Sequence, residues 1–413
     1  MRTDTMAGRA FVLAMLLIVY TFNFLDRQVL GILAGPIKVE LNLTDTQLGM
    51  LGGLAFAILY STLAIPFAWV ADRTKRTWVI TASLAVWSGF TALCGAATGF
   101  GQLFLYRLGV GVGEAGGVAP SYALISEVFP PQQRARALSI YSLGIPLGAA
   151  LGVLFGGYIA ATINWRSAFV AVGIAGLAFV PIFALTVREP VRAARAAKAP
   201  IDRSVFRILA AKPSFWLLAF GAASSSMLGY GMGFWLPSLM KRSFGMELIA
   251  VSHFYGLLLL IGGIPGVLIG GWLADRAGRS GKSGYARVPG IAFLAAVPLF
   301  AAGILSHSAT LAFLLFLVPQ GLAYMWLGPV LTAVQHLVPA PMRATASASF
   351  LLINNLIGVG FGAMTIGKLS DLLTPSLGDG ALRMALLGSL VFYVIAGLLM
   401  LIAAPRLAND WID

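Results

Sequence analysis

The chain alternates long apolar runs with short polar breaks. A helix rising about 1.5 Å per residue needs about twenty apolar residues to cross a bilayer core of roughly 30 Å. Twelve runs of this kind are legible, at 10–34, 47–71, 78–99, 101–129, 136–160, 167–187, 214–240, 249–275, 288–306, 309–337, 346–371 and 383–404. In hydrocarbon each backbone N–H and C=O must find its partner inside the segment, and a helix provides that. The pattern therefore predicts an all-α polytopic membrane protein with twelve transmembrane helices. The first run does not read as a cleavable signal peptide, because it is too long and carries Asp26.

Composition agrees. Of 413 residues 59% are hydrophobic and only 10% charged, against about 25% charged in a soluble domain. The one cysteine, Cys94, lies in the third run and reads as a packing residue, so no disulfide forms within the chain. Three scattered histidines and this cysteine make no metal set, and no metal or other cofactor is expected.

The net charge of +13 raises the question of nucleic acid, but its placement argues against that partner. One side of the twelve-helix topology collects Arg2, Arg9, Arg73, Lys75, Arg76, Arg134, Arg136, Arg276, Arg279, Lys282, Arg287, Arg343 and Arg406. It also holds the basic residues of a central loop: Arg188, Arg192, Arg195, Lys198, Arg203, Arg207 and Lys212. The other side has Lys38, Arg166, Lys241, Arg242 and Arg383. This is the positive-inside pattern, and it puts both termini and the central loop in the cytoplasm; a bacterial inner membrane is the expected location.

The central loop, 188–213, divides the chain into six-helix halves at 1–187 and 214–413. Around Asp202 to Ala211 it reads either as an amphipathic helix on the inner leaflet or as a solvated basic linker. The halves repeat each other. Ala68-Trp69-Val70-Ala71-Asp72-Arg73-Thr74-Lys75-Arg76 follows the second run, and Gly271-Trp272-Leu273-Ala274-Asp275-Arg276-Ala277-Gly278-Arg279 follows the eighth. The fourth run leads to Arg134-Ala135-Arg136 and the tenth to Arg343-Ala344-Thr345. Parallel six-helix repeats built from inverted three-helix units are a transporter architecture.

The 271–279 string resembles the hallmark loop of the major facilitator superfamily, and repeat, loop and helix count extend that resemblance over the whole chain. The first copy departs from it at Ala68 and Lys75. The resemblance implies a gating latch. Asp72 would face the start of the eleventh span and Asp275 the start of the fifth, each opposing a helix dipole. Arg73, Arg76, Arg134, Arg276, Arg279 and Arg343 would add ion pairs. The alternative is that these loops only anchor topology. Glycines at Gly144, Gly148, Gly152 and Gly156, answered by Gly358, Gly360, Gly362 and Gly367, permit close helix approach in the fifth and eleventh spans. They suit a rocking interface or simple close packing.

Four charges interrupt the apolar runs: Asp26, Arg27, Arg107 and Glu114. A charge at bilayer depth costs from about 2.5 to over 10 kcal/mol, so such residues mark a functional site by default. Arg107 and Glu114 are two turns apart on one helix face. The first and fourth spans run antiparallel, and counting residues from their ends puts Asp26 and Arg107 at similar depth, with Glu114 nearer the midplane. Asp26 and Arg107 can therefore pair. A purely structural salt bridge is the competing reading.

Asn23-Phe24-Leu25-Asp26-Arg27, and the string from Arg107 through Gly113-Glu114 to Pro120, resemble the Spinster-like branch of the superfamily. Sugar-acid and organic-anion carriers share parts of the same strings. The resemblance implies an amphiphilic substrate such as a lysolipid or sphingolipid phosphate. It also implies that Arg27, Arg107 and Glu114 bind substrate and that Asp26, with Glu114 as the other candidate, carries a proton. The second half has almost no charge at membrane depth. Its candidate substrate contacts are Tyr230, Trp235, Tyr324, Asn354 and Asn355, an apolar and polar wall suited to a tail as well as a head group.

The expectation is a monomeric, proton-coupled secondary transporter working by alternating access on an amphiphilic anionic or zwitterionic small molecule within the lipid bilayer. The alternatives are a sugar-acid or organic-anion carrier, a multidrug/proton antiporter, or a membrane sensor that does not transport. No nucleophile–base pair or phosphate-binding glycine loop argues for an enzyme or an ATP-driven pump.

Overall fold

The computed structural model describes residues 6–189, 204–339 and 342–412, and every regular element among them is helical. Helices form where the apolar runs lie and extend past them into the flanking polar residues. The first three spans are Met6–Leu41, Asp45–Arg73 and Arg76–Cys94, and the fifth and sixth are Arg136–Thr162 and Trp165–Thr186. The fourth is made of Phe100–Ala115 and Val118–Val128, broken at Gly116-Gly117. The seventh is Pro213–Phe244, and the eighth to tenth are Leu248–Gly278, Gly284–Leu305 and Ala309–Gln335. The last two occupy 343–377 and 381–410.

Hydropathy alone finds nine candidate spans among the described residues, or ten with the bent pair Ser204–Ala211 and Pro213–Phe244. One candidate, Thr345–Asp410, has 66 residues, enough for two crossings. The remaining run is the fourth, where Arg107, Glu114 and Glu127 hide the span from hydropathy. Twelve crossings result.

The chain divides into two compact units, residues 1–195 with 246–256 and residues 196–245 with 257–413. In the first, glycine decides how the site is held. Gly148 and Gly152 of the fifth span lie against the carbonyls of Thr21 and Leu25, so a Cβ at either would strike the first-span backbone. Gly144, Gly148, Gly152 and Gly156 thus pack on the first span, while Gly157 of the same helix lies against Ser252 of the eighth. In the second unit, Gly362 lies in the same way against the Met227 carbonyl.

At the end away from the basic loops, Thr44 caps the second span through a reciprocal pair with Gln47, at 3.1 and 3.0 Å. Lys38 pairs with Asp45 at 2.5 Å. Arg166 pairs with Glu40 at 2.8 Å and donates to the Gly95 and Ala97 carbonyls. Both cations that this end of the first unit holds are therefore matched by carboxylates.

Of the central loop, residues 190–203 lie outside the described residues, and Arg192, Arg195, Lys198, Asp202 and Arg203 with them. The helix Ser204–Ala211 buries Val205 and Leu209 and exposes Phe206 and Arg207. It is amphipathic, and meets the seventh span at a bend of 83°.

Two segments depart from α geometry. Leu259–Gly263 in the eighth span and Asn354–Val359 in the eleventh are π-helical, and each follows an α-helix of 11 residues. π-Turns are rare and concentrate at functional places.

Candidate functional site

The four charges of the first half come together as two crossed ion pairs. Arg107 Nη1 lies 3.3 Å from Asp26 Oδ2, and Arg27 Nη2 lies 2.7 Å from Glu114 Oε2. Neighbouring residues of the first span thus reach two residues of the fourth that stand two turns apart. Asp26, Arg107 and Glu114 are at most 1% exposed.

Each pair has its own support. Thr91 of the third span donates to Asp26 Oδ1 at 2.7 Å and is shared with the Trp87 carbonyl at 2.9 Å. Arg27 Nε also donates to Glu114 at 2.8 Å. The Arg27 guanidinium sits in an aromatic box, its carbon 4.4 Å from the Phe56 ring centre, 4.7 Å from Tyr60 and 4.8 Å from Phe24. Such faces attract a desolvated cation by up to about 2 kcal/mol each. Gly113, beside Glu114, lies against the Trp87 backbone, so the third span can press close and bring Thr91 to Asp26.

Hydrogen bonding at this site is incomplete. Among the described residues Glu114 Oε1, Arg107 Nε and both polar atoms of the Asn23 amide have no partner. More than nine in ten buried polar groups do have one.

Sequence reasoning missed Thr91, Phe56, Tyr60 and Asn23 as members of the site. Nothing in a single sequence marks one threonine or one phenylalanine among the many in apolar spans.

In the second unit the expected substrate contacts divide. Trp235 is fully buried, and its indole N–H donates to the Ala363 carbonyl at 2.8 Å, tying the seventh span to the eleventh. Asn354 accepts from Ser226 at 2.9 Å and donates to Asn355 at 3.2 Å, at the start of the π-helical segment. Tyr230, Tyr324 and Asn355 are half-buried.

The described latch residues are engaged by nearby groups. Arg76 is buried, 2.5 Å from Glu127 and 3.7 Å from Asp72. Glu189 accepts from the backbone N–H groups of Arg76 and Thr77 at 3.2 and 3.0 Å, capping the third span. Arg73 stacks on Trp69, 3.7 Å from the ring centre, and Arg134 donates to the Phe129 carbonyl at 3.0 Å. Arg276 stands over Trp272 at 5.6 Å. The side chains of Asp275 and Arg279 lie outside the described residues. Arg343 donates to the Ile412 carbonyl at 3.4 Å. Beside it Trp411 stacks on His336, with ring centres 4.3 Å apart, and on Tyr285 at 5.3 Å.

Among the described residues no group of three His, Cys, Asp or Glu is arranged to hold a metal. The buried, unpaired Cys94 takes part in packing.

A family model described as the Major Facilitator Superfamily matches residues 16–363. An MFS-type efflux pump of Mycolicibacterium smegmatis is 34% identical over 401 residues, covering 96% of this chain and 93% of that one. Human protein spinster homolog 1 is 27% identical over 394 residues, covering 89% and 74%. The crystal structure of a bacterial homolog to the human lysosomal transporter Spinster, inward-facing and unoccupied, matches with a TM-score of 0.88. It is 30% identical, over 99% of both chains.

Proposed function

We propose that this chain, which belongs to the Major Facilitator Superfamily in its Spinster-like branch, is a proton-coupled secondary transporter of an amphiphilic anionic or zwitterionic small molecule. The family is one of transporters of small molecules, not enzymes. The observation that carries the reading is the pair of crossed, buried ion pairs in the first half. Burying two charges together often stabilises less than burying apolar side chains of the same size. Two such pairs at membrane depth are explained better by work than by stability.

The work follows from the wiring. While Asp26 is ionised it holds Arg107. A proton on Asp26 removes that attraction and frees a guanidinium that can fork two hydrogen bonds to a phosphate or carboxylate. Proton and anion then load together at adjoining atoms. When Asp26 finds Arg107 again, proton and anion leave together. Arg27 stays caged by aromatic rings and shields Glu114, which contributes to the substrate site or takes over the relay.

Likeness to relatives leaves two readings in front. The Spinster proteins favour an amphiphile such as a lysolipid or sphingolipid phosphate. The efflux-pump name of the 34% identical relative favours outward movement of the substrate, which suits a multidrug/proton antiporter. The strings shared with sugar-acid carriers keep a hydrophilic organic anion as a third. Alternating access would run by a latch at Asp72 and Asp275, with both termini and the basic loops cytoplasmic, in a monomer of a bacterial inner membrane.

The test uses proteoliposomes, radiolabelled lysophosphatidate and an imposed pH gradient. Asp26→Asn loses accumulation against the gradient yet retains exchange of labelled for unlabelled substrate. Undiminished accumulation by Asp26→Asn would move the proton to Glu114.

A further inference from the structure

Asn23 lies one turn before Arg27 and three residues before Asp26, on the same face of the first span. It is 2% exposed, and neither its carbonyl oxygen nor its NH₂ has a partner among the described residues. Leaving a buried amide unpaired costs on the order of 1–3 kcal/mol per group. A sequence free to choose would place leucine there.

Two charged groups of the site share the deficit with complementary chemistry. Glu114 Oε1 is an unpartnered acceptor, and Arg107 Nε an unpartnered donor. Counting about 1.5 Å per residue, Asn23 sits about 6 Å from Arg27 along the first span, and Glu114 about 10 Å from Arg107 along the fourth. Since Asp26 is level with Arg107, both Asn23 and Glu114 stand on the inward side of that pair. The fourth span runs antiparallel, so Arg27 reaches past the level of Asn23 to meet Glu114.

A molecule that satisfies this set must offer an acceptor to Arg107, a donor to Glu114, and either or both to the amide of Asn23. A fully ionised anionic group supplies only acceptors. We infer that Asn23 reads a hydroxyl or amino group close to the anionic group of the substrate, which narrows the class to hydroxylated or aminated anions. This rests on the reading of Arg107 as the anion site. A lysolipid phosphate with a free hydroxyl and a sugar acid both have the required chemistry, whereas an anion on a plain hydrocarbon chain lacks it. Sites built to pair with a substrate hydroxyl discriminate strongly against analogues that lack it, because their own polar groups are then left buried and unpaired.

The test has two arms, on purified full-length protein in detergent. In the first, ligand-induced thermal stabilisation gives affinities for two matched pairs: lysophosphatidate against its deoxy analogue, and glucuronate against cyclohexanecarboxylate. The pair that binds identifies the source of the hydroxyl. Wild type should prefer the hydroxylated member by about tenfold or more, and Asn23→Leu should reduce that preference to within about threefold. Equal affinities in wild type, or a preference retained by Asn23→Leu, would overturn the inference.

The second arm needs no ligand. An amide without a protein partner does not hold the fold together, so Asn23→Leu should melt at or above the wild-type temperature. A fall of several degrees would show that Asn23 is structural and overturn the proposal. If no member of either pair binds, the anion-site reading fails and the inference that rests on it falls with it, whereas binding without preference overturns the inference alone.

Discussion

The Asp26–Arg107 pair lends itself to a double-mutant cycle. At 3.3 Å and an effective dielectric of about 20, two unit charges attract by about 5 kcal/mol. Removing one partner of a buried pair leaves the other uncompensated and costs about 3–5 kcal/mol. Asp26→Asn is the cleaner cut on the acid side, since Asn can still accept from Thr91 at the position of Oδ1, so the loss reports the contact with Arg107, both its charge and its hydrogen bond. Arg107→Met removes the guanidinium and keeps an apolar stem. Each single variant should lose about 3 kcal/mol or more of unfolding free energy, and the double variant should lose less than either. The coupling energy should exceed about 3 kcal/mol, well beyond the roughly 0.5 kcal/mol scatter of independent sites. Reversible unfolding in detergent, followed by circular dichroism, measures it. Single losses that simply add would show that the two groups do not depend on each other, and the coupling scheme built on their exchange would fail.

Arg107→Ala should abolish transport at near-normal expression, and Arg107→Lys should do the same, because an ammonium keeps the charge but cannot fork to an anion. Uptake by either variant at more than about a tenth of wild type would argue against the bidentate contact. Asp72→Asn should shift the distance distribution between spin labels on the basic ends of the second and eleventh spans toward the separated state, if the latch operates. An unchanged distribution would reduce the loop to a topology anchor. Gly152→Leu forces a side chain onto the Leu25 carbonyl and should cut the yield of folded protein severely, by size-exclusion chromatography. A monodisperse variant with normal transport would mean that the first and fifth spans can part at that point.

The twelve crossings were legible because bilayer thickness fixes a length and hydrocarbon fixes a composition. The fourth span shows the limit of hydropathy, since the charges that weaken its apolar signal are the ones that mark the site. The approach of Asp26 to Arg107 could be read by counting residues along antiparallel helices. The Arg27–Glu114 contact could not, because an arginine side chain spans more than a helical turn and register does not fix where it ends. The contact that holds Trp235 could not be read from the sequence. What decides its place is the Ala363 carbonyl, contributed by a residue 128 positions away. Arg76, read as a latch residue, is held by Glu127 and Asp72 of its own half.

The crossed pairs have an electrical consequence. Asp26, Arg27, Arg107 and Glu114 together sum to zero charge when ionised. An empty carrier whose site is neutral can reorient without doing work against the membrane potential. One added proton makes the site a unit cation, whose full passage is worth about 2.3 kcal/mol per 100 mV. A monoanionic substrate arriving with that proton returns the sum to zero, whereas a zwitterion leaves it at one. The same four side chains would then run silently with the first cargo and carry current with the second, so a voltage clamp could tell the head-group charge of the substrate before its chemical name is known.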